Sequence, residues 1–373
     1  LCQNPRRGAA TWERHSWVTH PANQITFASW YDVVAMKIAV LGLGFMGSTH
    51  LKAWKKTPGA EIVAVASDDP AMLSGDLSGV GGNLGAAGEK WDFSGYRKYS
   101  DYADAVKDAD VEAVDICLPT HLHAPAALAA LEAGKHVLVE KPLALTGEEA
   151  DRMVAAAEAS GRVLMAAQVL RFHPAYLVLA DAVKNGMLGP VRSAVFRRRC
   201  AAPAWSRWLT EASQSGGGVF DLLIHDVDQC LWLLGVPEAV SATGYVDLSK
   251  GIDTITAELH YPDTGSVTVT GGWHHPKSYP FSMEYTVVCD GGTIDYDFAK
   301  RPPTLYGADG TEKALPLPEQ DGYEAEIAYF VECCAHSRKP ERCPPEESAM
   351  AVKLTRLIAE ARKKKGEKLP CKL

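Results

Sequence analysis

The stretch Met36-Lys37-Ile38-Ala39-Val40-Leu41-Gly42-Leu43-Gly44-Phe45-Met46-Gly47 decides the fold. Its first half is an apolar strand, its second a Gly-x-Gly-x-x-Gly turn, and a helical pattern from Ser48 to Lys56 follows at once. In that setting the glycines serve a tight turn, a close backbone approach and helix–strand packing. The first amides of the helix then face a phosphate with a favourable dipole. The stretch predicts the first βα unit of a parallel sheet, with a dinucleotide lying across its edge.

Working outward, Glu61–Ala66, Val111–Leu118, His136–Val139 and Arg162–Ala167 read as further strands. Helical patterns separate them at Tyr102–Lys107, Ala124–Ala133 and Gly147–Ala159, the alternation expected of βαβ units. A glycine-rich loop between Ser74 and Lys90 receives no chemical role. After Pro190 the period shortens to two. Thr254–Tyr261 and Val267–Trp273 flank Pro262-Asp263-Thr264-Gly265, and Phe281–Cys289 and Thr293–Phe298 flank Asp290-Gly291-Gly292. Such pairs predict the antiparallel hairpins of a second sheet, whose threonine-rich face meets solvent or another subunit. A last helix, Glu346–Lys364, is expected to return to the first domain.

The fold class is therefore α/β: an N-terminal doubly wound parallel sheet followed by an α+β domain with an open, mostly antiparallel sheet. The expected segments are an extension over 1–35, a dinucleotide-binding domain over 36–160, a substrate and oligomerisation domain over 161–345, and the returning helix over 346–373. The extension carries Trp12, Trp17 and Trp30 but no apolar signal core, and it reads as sequence upstream of a natural start at Met36. The competing reading is an arm that packs its aromatics on another subunit.

Composition narrows the partners. A net charge of −8 over 373 residues argues against nucleic acid, which needs a concentrated basic surface. Arg197-Arg198-Arg199 and Lys363-Lys364-Lys365 are local exceptions that read as solvated surface. No apolar run is long enough to span a bilayer. Nine cysteines without a CxxC pair suggest reduced thiols in a cytoplasm and no metal centre. His121, His123 and His225 match no compact metal-ligand spacing either.

Candidate cofactor residues follow from the strand ends. The second strand closes in Ala66-Ser67-Asp68-Asp69-Pro70, about 20 residues past Gly47, where a ribose-reading residue belongs. Two carboxylates without a nearby Lys or Arg would repel a 2′-phosphate, so NAD is favoured over NADP. The turn supplies Gly42, Gly44, Phe45, Met46 and Gly47, and the second strand supplies Ser67 and Asp68. Pro119, Thr120 and His123 belong to a loop expected beside the nicotinamide half, and Glu140 and Lys141 end the strand His136–Val139 with an acid and a base. Farther on, Gly216-Gly217-Gly218 opens a helix that places Asp221, His225 and Asp228 on one face at i, i+4 and i+7. A histidine between acids suits proton transfer, and a neighbouring carboxylate would orient it and raise its pKa.

Gly42-x-Gly44-x-x-Gly47, Ala133-Gly134-Lys135-His136-Val137 leading to Glu140-Lys141-Pro142, and Gly216-Gly217-Gly218 leading into Asp221 and His225 together resemble the Gfo/Idh/MocA oxidoreductases. That is the family of glucose–fructose oxidoreductase and inositol dehydrogenase. The ending Ile224-His225-Asp226-Val227-Asp228 resembles the inositol dehydrogenase branch more closely. The resemblance implies a Rossmann domain, Lys141 at the reacting carbinol, Asp221 holding substrate or orienting the histidine, and His225 as general base. It also implies hydride transfer between a sugar or cyclic polyol and the nicotinamide, with a homodimer or homotetramer formed through the second sheet. Two other outcomes are a redox-neutral epimerase or eliminase holding NAD tightly, and a catalytically silent NAD-binding sensor. Trp205, Arg207, Trp208, Arg171 and His274 are candidates for a sugar pocket.

Overall fold

The computed structural model describes residues 35–82, 88–204 and 206–373. The N-terminal extension, apart from Ala35, and Trp205 lie outside the described residues.

The opening strand β1 (Met36–Leu41) enters helix α1 (Phe45–Lys56) through the glycine turn, and β2 (Ala60–Ala66) follows in parallel. A short helix α2 (Pro70–Leu73) comes next, started by Asp69, whose carboxylate accepts the Ala71 N–H. The three-residue strand β3 (Arg97–Tyr99) is too brief for a period-two signal and carries charges, so the sequence pattern misses it. Then come α3 (Tyr102–Lys107), β4 (Ala113–Ile116), α4 (His123–Glu132), β5 (His136–Glu140), α5 (Gly147–Ser160) and β6 (Leu164–Ala167). Every pairing in this sheet is parallel and the strand order is β3-β2-β1-β4-β5-β6. The order reverses at β1, so the crevice at the carboxyl ends of β1 and β4 is where a dinucleotide belongs. Because β6 completes this sheet, the first domain runs past the expected boundary at residue 160.

The chain continues through α6 (Pro174–Lys184), β7 (Val191–Cys200), α7 (Ala212–Ser215) and the long helix α8 (Gly218–Leu234). Strands β8 (Ala239–Asp247), β9 (Ile252–His260), β10 (Ser266–Trp273), β11 (Ser282–Cys289), β12 (Gly292–Asp297), β13 (Arg301–Gly307) and β14 (Glu312–Ala314) build the second sheet. Its order is β14-β13-β12-β11-β7-β10-β9-β8-β15, the last strand being Leu369–Pro370 after α9 (Gly322–Ala335) and α10 (Pro345–Lys363). The predicted hairpins β9–β10 and β11–β12 are antiparallel, whereas β7 and β10 pair in parallel, so the sheet is mixed.

One face of this sheet is apolar and buried, with Ile255, Ala257 and Leu259 on β9 and Val267 and Val269 on β10. It shares a hydrophobic core with Leu223, Ile224 and Val227 of α8 and Val352, Leu354 and Ile358 of α10. The other face carries Thr256 and Thr270, whose hydroxyls lie 2.7 Å apart, together with exposed Val195. Helix α10 reaches both halves. Its Lys353 meets Asp151 of α5, Arg356 donates to the Leu145 carbonyl, and Arg362 pairs with Asp253 of β9. The eight cysteines among the described residues form no disulfide. No helix of the described residues is long and apolar enough to cross a membrane.

Candidate active site

The glycine turn acts as three separate devices. Gly42 sits at φ +95°, and a Cβ there would lie 2.5 Å from the Cys117 carbonyl oxygen. Gly44 has open space where its Cβ would be, and it caps α1 without a side-chain hydrogen bond. That combination leaves helix amides open to an anion and room for it to approach the backbone. Gly47 does not face the cavity; a Cβ on it would strike the Gly42 carbonyl at 1.9 Å. It packs the helix onto the turn, and the positions of the turn that line the cavity are Gly42, Leu43, Gly44, Phe45 and Met46.

From this turn a cavity of about 960 Å³ extends over the strand ends and beneath α8. Ser67 and Asp68 line it, joined by Ser100, Asp101 and Tyr102 from the segment entering α3. Pro119, Thr120, His123, Glu140 and Lys141 line its middle, and Asp221 and His225 line its far end. Gly79, Val80 and Gly81 also contribute wall, so the glycine-rich loop does have a place in the site. The cradle fits a dinucleotide: anion-accepting amides at the turn, carboxylates at one end and proton-handling groups at the other.

His123 lies with its two ring nitrogens 2.8 Å from the Leu118 and Pro142 carbonyl oxygens. Burial pushes its pKa down, and in the neutral ring one nitrogen carries the hydrogen donated to a carbonyl. His123 braces the loop around Lys141 and also lines the cavity. His121 does not line the cavity.

Lys141 and Asp221 meet across 80 residues of sequence. The Lys141 ammonium donates to the Asp221 main-chain oxygen at 2.9 Å and to its carboxylate at 3.1 Å. An ammonium has three hydrogens, so one remains for a substrate oxygen. Asp221 thus holds the lysine rather than orienting His225, which lies one helical turn on. His225 makes no bond to a carboxylate, and its Nδ1 has no hydrogen-bond partner among the described residues. Burial, with the positive charges of Lys141 and Arg198, pushes its pKa well below the ordinary value. This reverses the expected direction. The imidazole is neutral at pH 7, the form that accepts a proton.

Helix α8 is held by contacts that periodicity alone could not show. Gly218 lies flush on the Trp273 ring, where a Cβ would come within 2.5 Å, and the Val219 N–H donates to Asp253 of β9. Asp226 forms a two-pronged ion pair with Arg198 at 2.8 and 3.0 Å. Asp228 does the same with Arg171 at 2.8 and 2.7 Å. All four side chains are buried. Asp228 therefore anchors the helix and does not share the cavity face with His225. Arg198 is not solvated surface, and Arg171, also bound by Glu347, is not a sugar-pocket residue. Neither Arg207 nor His274 lines the cavity, and Trp208 does. His173, Phe281, Met283, Phe298 and Tyr323 line it as well. Their places depend on how loops and strand ends of the second sheet fold over the first, and nothing local in the sequence marks them.

Fold and site together define a two-domain protein with a dinucleotide-type glycine turn and a lysine–aspartate–histidine group lining one cleft. The chain belongs to the Gfo/Idh/MocA family: residues 36–168 match the oxidoreductase family, NAD-binding Rossmann fold, and residues 176–295 match the GFO/IDH/MocA C-terminal domain. It is similar to 1,5-anhydro-D-fructose reductase of Ensifer adhaerens, 33% identical over 61% of this chain and 70% of that protein. It is also similar to scyllo-inositol 2-dehydrogenase (NAD(+)) of Bacillus subtilis, 27% identical over 82% of this chain and 88% of the relative. Other alignments are shorter, spanning 55% of inositol 2-dehydrogenases from Salmonella and 66% of an uncharacterized oxidoreductase from Rhizobium meliloti. Among solved structures, levoglucosan dehydrogenase in complex with NADH and levoglucosan shares the fold with a TM-score of 0.77 at 21% identity, covering 91% of this chain and 100% of that one.

Proposed function

We propose that the protein oxidises a secondary alcohol of a sugar or cyclic polyol with NAD. The observation that carries this reading is the convergence of Lys141, Asp221 and His225 on a cavity continuous with the glycine turn. When bound, the dinucleotide supplies a hydride acceptor at the nicotinamide. Lys141, fixed by Asp221, uses its free hydrogen to hold the substrate oxygen and to offset the negative charge that grows there as the proton leaves. His225, neutral and facing the cavity, takes that proton. The relatives named for reactions on anhydro sugars, inositols and levoglucosan support a substrate of this class.

NAD is preferred over NADP in this reading. Asp68 and Asp101 line the end of the cavity beside β2, and among the described residues no lysine or arginine lines that end. Two carboxylates there disfavour a 2′-phosphate. A homo-oligomer through the outward face of the second sheet also belongs to the proposal, supported by exposed Val195 among paired threonines. The deciding experiment follows absorbance of the reduced cofactor with inositols, aldoses, anhydro sugars and sugar acids, each with NAD and with NADP. Reduction of NAD by at least one of them is expected. Measurable NAD affinity with no reduction by any of these classes would overturn the catalytic reading.

A further inference from the structure

Behind the cavity wall lies a charged cluster that the chemistry above does not use. His50 of α1 is fully buried, with Nδ1 2.9 Å from an Asp115 carboxylate oxygen and Nε2 at an ion-pair distance of 3.1 Å from one of Glu140, without hydrogen-bond alignment. Trp54 donates its indole N–H to the same Asp115 oxygen at 2.7 Å, which helps fix that carboxylate. The remaining Glu140 oxygen accepts the Lys141 backbone N–H at 3.0 Å. Glu326 of α9 completes the group, 4.0 Å from His50 and with neither carboxyl oxygen partnered among the described residues.

The charges of this cluster can be assigned from its contacts. Burial is the largest influence and opposes a charged imidazole, but Asp115 and Cys117 together outweigh it and raise the His50 pKa well above the ordinary value. Burial drives Glu326 the other way, well above the ordinary carboxyl range, so it is neutral at pH 7. The Cys117 thiol, 3.5 Å from His50, is also pushed up by burial and stays neutral. One imidazolium between two carboxylates leaves one net negative charge. Of the groups carrying it, only Glu140 lines the cavity.

The position of that charge matters because β5 lies on the β4 side of the switch point, opposite the Ser67–Asp68 end. This inference rests on the functional reading above, in which the nicotinamide occupies that side. The oxidised nicotinamide ring is a cation and the reduced ring is neutral. A fixed carboxylate nearby therefore favours one over the other. We propose that His50 is a positioning residue which, by clamping Glu140 against the back of the cavity, sets the preference of the site for oxidised over reduced dinucleotide.

The test measures dissociation constants for NAD+ by calorimetry and for NADH by fluorescence on the intact protein from pH 6 to 9. The groups facing Glu140 are His50 from α1, Asp115 from β4, Cys117 just past its end, His123 from α4, and Tyr323 and Glu326 from α9. Asp321 at the α9 N-terminus and Lys141 beside it complete the set. The wild-type ratio of the two constants should be flat across this range. Glu140→Gln should weaken NAD+ about tenfold while NADH changes by less than about twofold, as expected for one charge seen through protein. His50→Gln removes the clamping cation and should move the ratio of the two constants away from wild type across the range. Asp115→Asn keeps the imidazole but weakens its charge, and should move the ratio in the same direction if His50→Gln fails to fold. Ratios unchanged in Glu140→Gln, or unchanged in the His50 and Asp115 variants that fold, would overturn the proposal. A wild-type protein that binds neither dinucleotide would instead overturn the functional reading.

Discussion

His136 and His173 are used as hydrogen-bond acceptors, which ties each to its neutral form. Nδ1 of His136 accepts the Val163 N–H at 3.0 Å, and Nδ1 of His173 accepts the Ala175 N–H at 3.3 Å at the start of α6. Burial, helped by Arg162 and Arg198 respectively, pushes both pKa values down to about 4. An unfolded chain binds these protons near pH 6.5, before the folded protein does, so stability is complete above pH 6.5 and falls as pH drops toward 4. Each ring should contribute about 1–2 kcal/mol to that loss after allowing for its contact with water. Urea unfolding at pH 7 and pH 5 checks this, with His136→Gln losing less than wild type over the interval. In the cavity, Lys141→Ala and His225→Ala should each lower kcat by about 10²–10⁴ while NAD+ affinity holds, the usual reach of positioned proton transfer. The depressed His225 pKa puts the acid limb of the kcat/KM profile below pH 6.5, and a limb centred above 7 would remove His225 as the base.

At the scale of elements, α8 carries the site and is bolted at both ends of its buried face. Asp228→Ala leaves the Arg171 guanidinium buried beside one remaining acid, Glu347, and should cost about 3–5 kcal/mol in urea unfolding. Replacing both partners with apolar side chains, Arg171→Met with Asp228→Leu, should recover most of that loss. Gly218→Ala drives a methyl into the Trp273 ring. It should destabilise by about 1–3 kcal/mol and lower kcat/KM more than it weakens NAD+ binding, because the helix that moves carries Asp221 and His225. The sequence showed this helix and its polar stripe, since a period of 3.6 is visible locally. It could not show that Asp226 and Asp228 had partners, because Arg198 and Arg171 come from β7 and from the segment after β6. A run of three arginines looks like surface until alternate residues of a strand turn the middle one inward.

Across the whole molecule, the parallel sheet, the glycine turn and the strand-end lysine were legible because each rests on short-range chemistry. The remaining walls of the cavity were not, since Phe281, Phe298 and Tyr323 arrive from the second half of the chain by tertiary packing. The outward face of the second sheet gives a prediction at this scale. Val195→Arg on the central strand β7 should shift the protein to a smaller species in light scattering, and an unchanged mass would place any interface elsewhere.

The reach of α10 bears on how such a protein could have been assembled. Its glutamate at 347 holds Arg171, its Lys353 holds α5, its Arg362 holds β9, and the strand after it joins the sheet edge beside β8. In a fusion of a nucleotide module to a sheet module near residue 170, the contacts of α10 would join that of Lys141 with Asp221 in holding the halves together. A second half exchanged between relatives should therefore keep its stability only when its closing helix matches the α5 it meets.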